Sequence, residues 1–452
     1  MRSVELIMRN VIRGLSFIIF LLLSNFNINA QTISLEEARA LALANSRSLA
    51  KYHISIQNSI LDEKNQLFSM LPQVSADYRS SSTYFKDWEF VNPVKTFYVG
   101  AGFSVTQIIF QGGKSFIQKA ISAIATESVR KDALAEYFNV LDSADSAYYA
   151  VLEAAAALEA EEFSLQASEL AYAIAEIRSQ TGMINQGDFL KSLAEKESRE
   201  MSRNQAKRNL TLCLTKFKNL LGITETAVPQ EIVFDQYEEI ITRLSGVSGE
   251  EADVLYDNFW EVIAADNISI AKANLNSRRA EKNHTLSKLD YTPTISATIL
   301  SGDFNFLPEL RNAANGQVSI RGTIPVDFWV LNNKLKKSRL ALDSAALDYA
   351  NVENSLEQEL FNALSNIFAQ AGAVLSSRRS LEYTQKHYEF VMERYRLSQS
   401  SVSDLNEATS LFMSSRNNLN KASYSFLQSL SKLRSLCAME DEQKLMELLM
   451  KN

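Results

Sequence analysis

The chain has 452 residues, with 46 Lys and Arg against 53 Asp and Glu, for a formal net charge of −7. That acidic balance argues against nucleic acid as a partner. It carries only 14 Gly and 6 Pro, and they are unevenly placed, so it reads as long helices with few interruptions rather than one compact domain.

In chain order, Arg2, Arg9 and Arg13 precede the apolar run LSFIIFLLLS, and NFNINA follows. This is the pattern of a secretory signal peptide, residues 1–30, cleaved after Ala30. Met8 would serve as a start as well as Met1. Removing the signal leaves a formal charge of about −9. Cys213 and Cys437 lie far apart in helix-like stretches and read as small buried hydrophobes. His53, His284 and His387 show no ligand spacing. No catalytic, cofactor-binding or metal motif is present, so the chain reads as no enzyme and with no cofactor.

The rest is one plan written twice. SRSLAKYHISIQNSILDEKNQLFSMLPQV from Ser46 and NISIAKANLNSRRAEKNHTLSKLDYTPTI from Asn267 align without a gap at an offset of 221. Each is a helix that runs into a proline, Pro72 or Pro293. The first repeat spans 31–222, with a helix, a β-hairpin at about 74–109 and a helical hairpin at about 114–222. An acidic linker follows at 223–262. The second repeat spans 263–437, with a helix, a hairpin at about 294–328 and a helical hairpin at about 334–437. Residues 438–452 form a tail. Between strand and long helix, Gly112 and Gly113 permit positive φ, and Asn332 and Asn333 are expected to take that place in the second copy. Gly182 and Gly187 mark the break between the first pair of long helices, and a Ser run marks the second.

Four strands are expected, at about 74–85, 97–109, 294–303 and 316–328. In the fourth, Val318, Ile320, Gly322, Ile324 and Val326 alternate with Gln317, Ser319, Arg321 and Thr323. Each has about the length that crosses a bilayer at a tilt. Tyr84, Phe85, Trp88, Phe90, Phe97, Tyr98, Phe304, Phe306, Phe328 and Trp329 crowd the strand ends, as at a membrane interface. A half-buried soluble sheet has the same alternation. Four strands cannot close a membrane barrel, and unpaired edges in lipid cost several kcal/mol per group. Two copies give eight strands, filled by side chains, and three give twelve, enough to leave a lumen.

The helices carry heptads. Ala144, Val151, Leu158, Leu165 and Tyr172 recur in the first copy, and Leu405, Phe412, Leu419, Phe426 and Leu433 in the second. Beside the latter runs a small stripe of Ala408, Ser415, Ala422 and Ser429. Such stripes suit coiled-coil packing and equally a plain helical core.

The order and spacing of ISLEEARALALANSRSLA, Leu71-Pro72, IIFQGGK at 108–114, AYYAVLEA at 147–154, NLLG at 219–222 and the two helix breaks resemble the TolC family of outer-membrane efflux proteins. The resemblance implies a homotrimer with a 12-stranded outer-membrane β-barrel and a long periplasmic α-helical barrel. It implies an exit channel of a tripartite efflux or type I secretion system. Its partners would be outer-membrane lipid, a periplasmic adaptor and an inner-membrane pump of the RND, ABC or MFS type. It places Asp404 and Glu407 at the channel constriction, and Tyr395 and Asp188 among the gate contacts. Three copies would set six carboxylates around one axis, favouring cations and raising some carboxyl pKa values by repulsion. Two positions depart from the family pattern: Ser398 stands where the first copy has Gly182, and Ser400 where some members carry Arg. Asp404-x-x-Glu407 and Asp188 also read as ordinary helix caps. A soluble periplasmic coiled-coil scaffold is the alternative function.

Overall fold

A computed structural model describes residues 31–85, 94–224, 227–301, 304–305, 316–397 and 399–451. The proposed signal peptide, Trp88, Phe90, Phe306 and Ser398 lie outside the described residues, as do the side chains of Tyr84, Phe85, Phe97, Tyr98 and Phe304.

The elements in order are β1 (Gln31–Ile33), α1 (Leu35–Asn45), α2 (Arg47–Phe68), β2 (Gln73–Phe85), β3 (Val94–Phe110), α3 (Lys114–Gln180) and α4 (Gln186–Leu221). Then come β4 (Ala227–Pro229), α5 (Glu238–Ser245), α6 (Gly249–Asp266) and α7 (Ile268–Leu289). The second half continues with β5 (Thr294–Leu300), β6 (Phe304–Asn305), β7 (Gln317–Thr323), α8 (Phe328–Arg396), α9 (Val402–Leu436) and α10 (Glu442–Met450). The helices α3 and α8 run for 67 and 69 residues, so each is about 100 Å long. Contacts divide the chain into two units. One comprises residues 1–50, 134–267 and 355–452, and the other residues 51–133 and 268–354.

The helical unit is built around a buried carboxylate. Asp145 on α3 is wholly buried. It accepts two hydrogen bonds from Arg39 of α1, at 2.6 Å from Nε and 2.9 Å from Nη2. It also accepts from Ser431 and Arg434 of α9, both at 2.8 Å. Arg39 reaches on to Glu442 of α10 at 3.3 Å, and the Tyr237 hydroxyl donates to the same carboxylate at 3.2 Å. Burial and the Glu442 charge hold the Tyr237 phenol well above its usual range. Four helices thus meet at one charged cluster. A charge moved out of water costs several kcal/mol unless it is fully paired, and here Asp145 accepts four hydrogen bonds from three residues.

The two repeats use one clamp at corresponding places. Asn45, the last residue of α1, donates from Nδ2 to the Leu221 carbonyl at the end of α4, at 2.7 Å. Asn267, between α6 and α7, does the same to the Leu436 carbonyl at the end of α9, at 2.9 Å. Each donation satisfies a carbonyl that a helix end leaves free. The first of these helix ends uses Gly222 at φ 67°, and the second uses Ala438 at φ 51°. Tyr148 donates to the carbonyls of Ile33 and Gln230, at 3.1 and 2.7 Å, and so closes the parallel pair β1–β4 onto α3. The heptad stripes face inward in part: Ala144, Val151, Leu165, Leu405, Phe426 and Leu433 are buried, and so is the whole small stripe of Ala408, Ser415, Ala422 and Ser429. Cys437 is buried, Cys213 is half-buried and neither is in a disulfide; burial pushes the Cys437 thiol up to about 12.

The other unit holds an antiparallel sheet in the order β2-β3-β5-β7, with β6 also on β3. Two expectations need correction here. The strands β5 and β7 have seven residues each, fewer than expected. β7 ends at Thr323, and Pro325, which has no N–H to give a ladder, follows. β5 is carried on by β6: Ser301 exchanges hydrogen bonds with Phe103, its N–H donating to the Phe103 carbonyl at 2.8 Å and its hydroxyl accepting from the Phe103 N–H at 2.7 Å. The second correction concerns Asn332 and Asn333. Both lie inside α8, and among the described residues only Ala438 is a non-glycine with positive φ. The Asp327 carbonyl already accepts from Val330 and Leu331, at 2.9 and 3.2 Å. The helix therefore starts before the asparagines and needs no left-handed residue. In the first copy Gly112 and Gly113 have φ of 65° and 82°. A Cβ on Gly112 would lie within 2.0 Å of the Thr292 hydroxyl, so that position needs glycine for space as well as conformation.

Two predictions follow from the buried cluster. Asp145→Ala leaves Arg39 and Arg434 without their main partner and is expected to cost about 3–5 kcal/mol, read as a lower midpoint in denaturant unfolding. The Asp142 carboxyl is pushed up to about 6 by burial and by the nearby Asp145 charge. The folded chain therefore binds its proton more tightly than the unfolded chain, and stability falls as pH rises from about 4 through 6. Asp142→Asn is expected to raise the thermal midpoint at neutral pH, with the difference from the parent closing below pH 4.

Candidate functional site

Two places carry the chemistry, one in each unit. The first is the sheet. Register places Val74, Val105, Ile299 and Val318 in one row across all four strands. The adjacent row is Gln73, Thr106, Thr298 and Ser319. Successive side chains point to opposite faces, so one face is apolar and the other polar. The polar face is knitted by hydroxyls: Ser75 to Ser104 at 2.6 Å and Thr106 to Thr298 at 3.2 Å. The apolar face is uncovered. Val74 is 71% exposed, and Val318 and Ile320 are 73% exposed. Ile324 and Val326, beyond β7, are exposed too. β2 and β7 are the sheet edges, with backbone donors and acceptors free for another strand. Exposed apolar area of this extent marks an interaction surface.

The second place is the pair of breaks in the long helices. Helix α3 ends in a Schellman arrangement: Met183 N–H donates to the Arg178 carbonyl at 2.8 Å and Gly182 N–H to Ser179 at 3.1 Å, with Gly182 at φ 71°. The second break repeats the longer bond, from Gln399 N–H to the Arg394 carbonyl at 2.8 Å. The caps that follow also correspond. Asn185 opens α4, accepting from Asp188 N–H at 2.8 Å and donating to the Asp188 carboxylate at 2.9 Å. Ser401 opens α9: its hydroxyl accepts from Asp404 N–H at 3.2 Å, and its own N–H donates to the Asp404 carboxylate at 2.9 Å. This corrects the capping pattern expected from sequence. The caps are Asn185 and Ser401, and Asp188 and Asp404 each stand three residues in; Asp404 completes a capping box with the Ser401 backbone, while Asp188 bonds the Asn185 side-chain amide instead. Ser400 adds a second donor to the Asp404 carboxylate at 3.0 Å.

Those hydrogen bonds decide the charge of the site. Donation from the Ser401 backbone, then from the Ser401 and Ser400 hydroxyls, holds the Asp404 carboxyl below its usual range. Within the chain the shift is opposite in sign to the rise expected from carboxylate repulsion. The ionised cap is present above the ordinary carboxylate pKa and is lost only as pH falls through the depressed value. Glu407 is exposed, one turn further along α9, so it shares a face with Asp404.

Tyr395 sits apart from both acids. It is 1% exposed, in a core cluster with Ala171, Val391, Met392, Val402, Leu405 and Ala408. Its hydroxyl donates to the Ala171 carbonyl at 3.1 Å. The Arg178 guanidinium lies 4.8 Å from the ring centre and donates to the Tyr395 carbonyl at 2.6 Å. Lys191 and Arg199 of α4 donate to Ser403 and Ser410 of α9, at 3.1 and 2.6 Å. The structure thus places Asp188 and Asp404 in separate caps and Tyr395 in the clip between α3 and α8, and brings none of the three together. Arg178 was not singled out in the sequence; its match to Arg394 at the two breaks was the available signal. Tyr395→Phe is expected to cost about 1 kcal/mol for one buried hydrogen bond, and Tyr395→Ala about 3–5 kcal/mol for the emptied cluster, both read by thermal unfolding.

Among the described residues no group of three His, Cys, Asp or Glu is placed to hold a metal. Nor is any helix there long and apolar enough to cross a membrane.

Comparison with known proteins adds to this geometry. Residues 261–438 match the family described as Outer membrane efflux protein. No curated protein matches the chain. Solved structures match over most of its length. The Campylobacter jejuni CmeC outer membrane channel is 18% identical with a TM-score of 0.73, covering 92% of this chain and 89% of that one. The Vibrio cholerae outer membrane protein VceC is 12% identical with a TM-score of 0.69, covering 90% and 97%. The open state of the Neisseria gonorrhoeae MtrE outer membrane channel is 15% identical with a TM-score of 0.62, covering 92% and 93%. At these identities the likeness speaks for the fold, and the family match speaks for the second repeat. The second repeat, residues 261–438, thus carries the pattern of the outer membrane efflux protein family, and the whole chain has the fold of these channel structures.

Proposed function

We propose that this chain is the outer-membrane exit channel of a tripartite efflux or type I secretion system, a passive homotrimeric conduit gated at the helix breaks. The observation that carries the reading is the sheet with one exposed apolar face, one hydroxyl-lined face and two open edges. A bilayer accepts the apolar face. It rejects the open edges, since each unpaired backbone group in lipid costs several kcal/mol. Pairing β7 of one copy with β2 of the next removes both edges, and three copies give twelve strands around a polar lumen. A soluble periplasmic scaffold would leave the apolar face in water, and the reading rejects it for that reason. A stripe on α8 supports packing between copies. Tyr383 and Phe390, with Leu397 just beyond the helix, recur every seven residues and are all exposed in the single chain, as a coiled-coil seam requires.

The helix breaks form the periplasmic end of the conduit. Asp404 and Glu407 line its constriction, where the Asp404 carboxylate is kept ionised by its cap and a ring of such acids favours cations. Tyr395 holds the two helix pairs of one copy together, and Asp188 braces the neighbouring break. A periplasmic adaptor docks on the helices and links them to an inner-membrane pump of the RND, ABC or MFS type. The signal peptide, residues 1–30, delivers the chain across the inner membrane.

Extraction is expected to require detergent, and the purified protein to run as a trimer that passes ionic current in planar bilayers. Release by osmotic shock, or a monomer in detergent, would overturn the channel. Combined Asp404→Asn and Glu407→Gln should lower cation preference severalfold and relieve block by multivalent cations. Unchanged selectivity and block would remove the constriction assignment and leave the conduit standing.

A further inference from the structure

About the first four turns of α8 carry a feature that the conduit does not use. From Phe328 to Leu342 there is no acidic residue, while Lys334, Lys336, Lys337 and Arg339 fall within six positions. This is a concentrated positive charge on a chain whose formal charge is −7. The segment directly follows the apolar end of the sheet. Ile324, Val326, Phe328 and Trp329 are exposed in succession along it. An exposed Trp at the end of an apolar strand face is the residue that settles at headgroup level. Lys336 lies seven residues after Trp329, which puts it on the same helix face about 10 Å further along the axis.

The charges facing this stretch are few. Lys334 and Lys114 share the Asp290 carboxylate, the latter at 3.0 Å. Arg339 is paired with the exposed Asp343 at 3.3 Å, a contact that water and salt weaken. Asp327 precedes the helix. Lys336 and Lys337 are exposed. Long basic side chains reach along a helix toward an interface with their stems over apolar surface, and the exposed Leu340 supplies such surface beside them.

We propose that this basic collar binds anionic phospholipid headgroups in the leaflet nearest the helices, with Trp329 setting its depth. The inference rests on the membrane reading above and adds a lipid preference to it. Each basic residue close to an anionic surface is worth about fivefold in partition, and the attraction fades within a Debye length as salt rises.

The test uses the full mature protein in nanodiscs of phosphatidylcholine mixed with phosphatidylglycerol, with lipid retained after detergent extraction read by mass spectrometry. The parent is expected to retain phosphatidylglycerol above its bulk fraction at low salt, and less at high salt. Lys336→Gln with Lys337→Gln is expected to lose that excess, and Lys336→Arg with Lys337→Arg to keep it. All three proteins are also tested for current in bilayers of phosphatidylcholine alone, which shows whether each has assembled. Equal retention by the parent and the Gln variant, with both conducting, would overturn the lipid site and leave the channel intact. Failure of the parent to insert in any lipid would overturn the channel itself, and the lipid site with it.

Discussion

Asp145 is the constraint on which the helical unit depends. A carboxylate with no exposure is tolerated only where its oxygens are fully used, and here two arginines and a serine use them. Satisfying that one group fixes α1 against α3, and α9 and α10 against both. The arginines are spoken for in turn, since Arg39 also pairs with Glu442 and so ties in the last helix. An apolar cluster could match this in energy. It would not select one register of α9 along α3, because a sliding helix finds another apolar neighbour but not another carboxylate for Ser431 and Arg434 together. The long helices are held at defined heights by this charge, and the cap geometry at their breaks inherits that definition.

The duplication works at the level of hydrogen bonds as well as of elements. Asn45 and Asn267 close corresponding helix ends, and the reciprocal caps Asn185–Asp188 and Ser401–Asp404 open corresponding helices. The copies diverge where a left-handed residue is needed: glycine serves at 222 and alanine at 438. They diverge again between strand and long helix. The first copy turns on two glycines beside Thr292, and the second begins its helix directly after Asp327. An alignment of the repeats equates the glycines with Asn332 and Asn333; the backbone does not.

Much of this was legible in the residues. The prolines at 72 and 293, the 221-residue offset and the scarcity of glycine mark the helices and hairpins. The alternation from Val318 to Val326 marks the apolar face. What stayed hidden was contact across long sequence separations. Asp145 sits in an alanine-rich helix where a lone acid reads as solvent-facing, and its partners are 106 and 289 positions away. The family resemblance makes Tyr395 a gate contact, but the bond from its hydroxyl to the Ala171 carbonyl, 224 positions away, is invisible in sequence. Sequence sets the caps three residues late because Asp is itself a common cap, and only the backbone angles of Asn185 and Ser401 distinguish the two positions.

The open sheet also bears on how the molecule comes into being. A newly made chain presents valines and isoleucines on a flat surface with free strands at both sides, which in water is a template for aggregation. The helical unit, by contrast, turns its apolar residues and its buried carboxylate into its own interior. Whatever shields the chain before those edges are paired must cover the row of Val74, Val105, Ile299 and Val318.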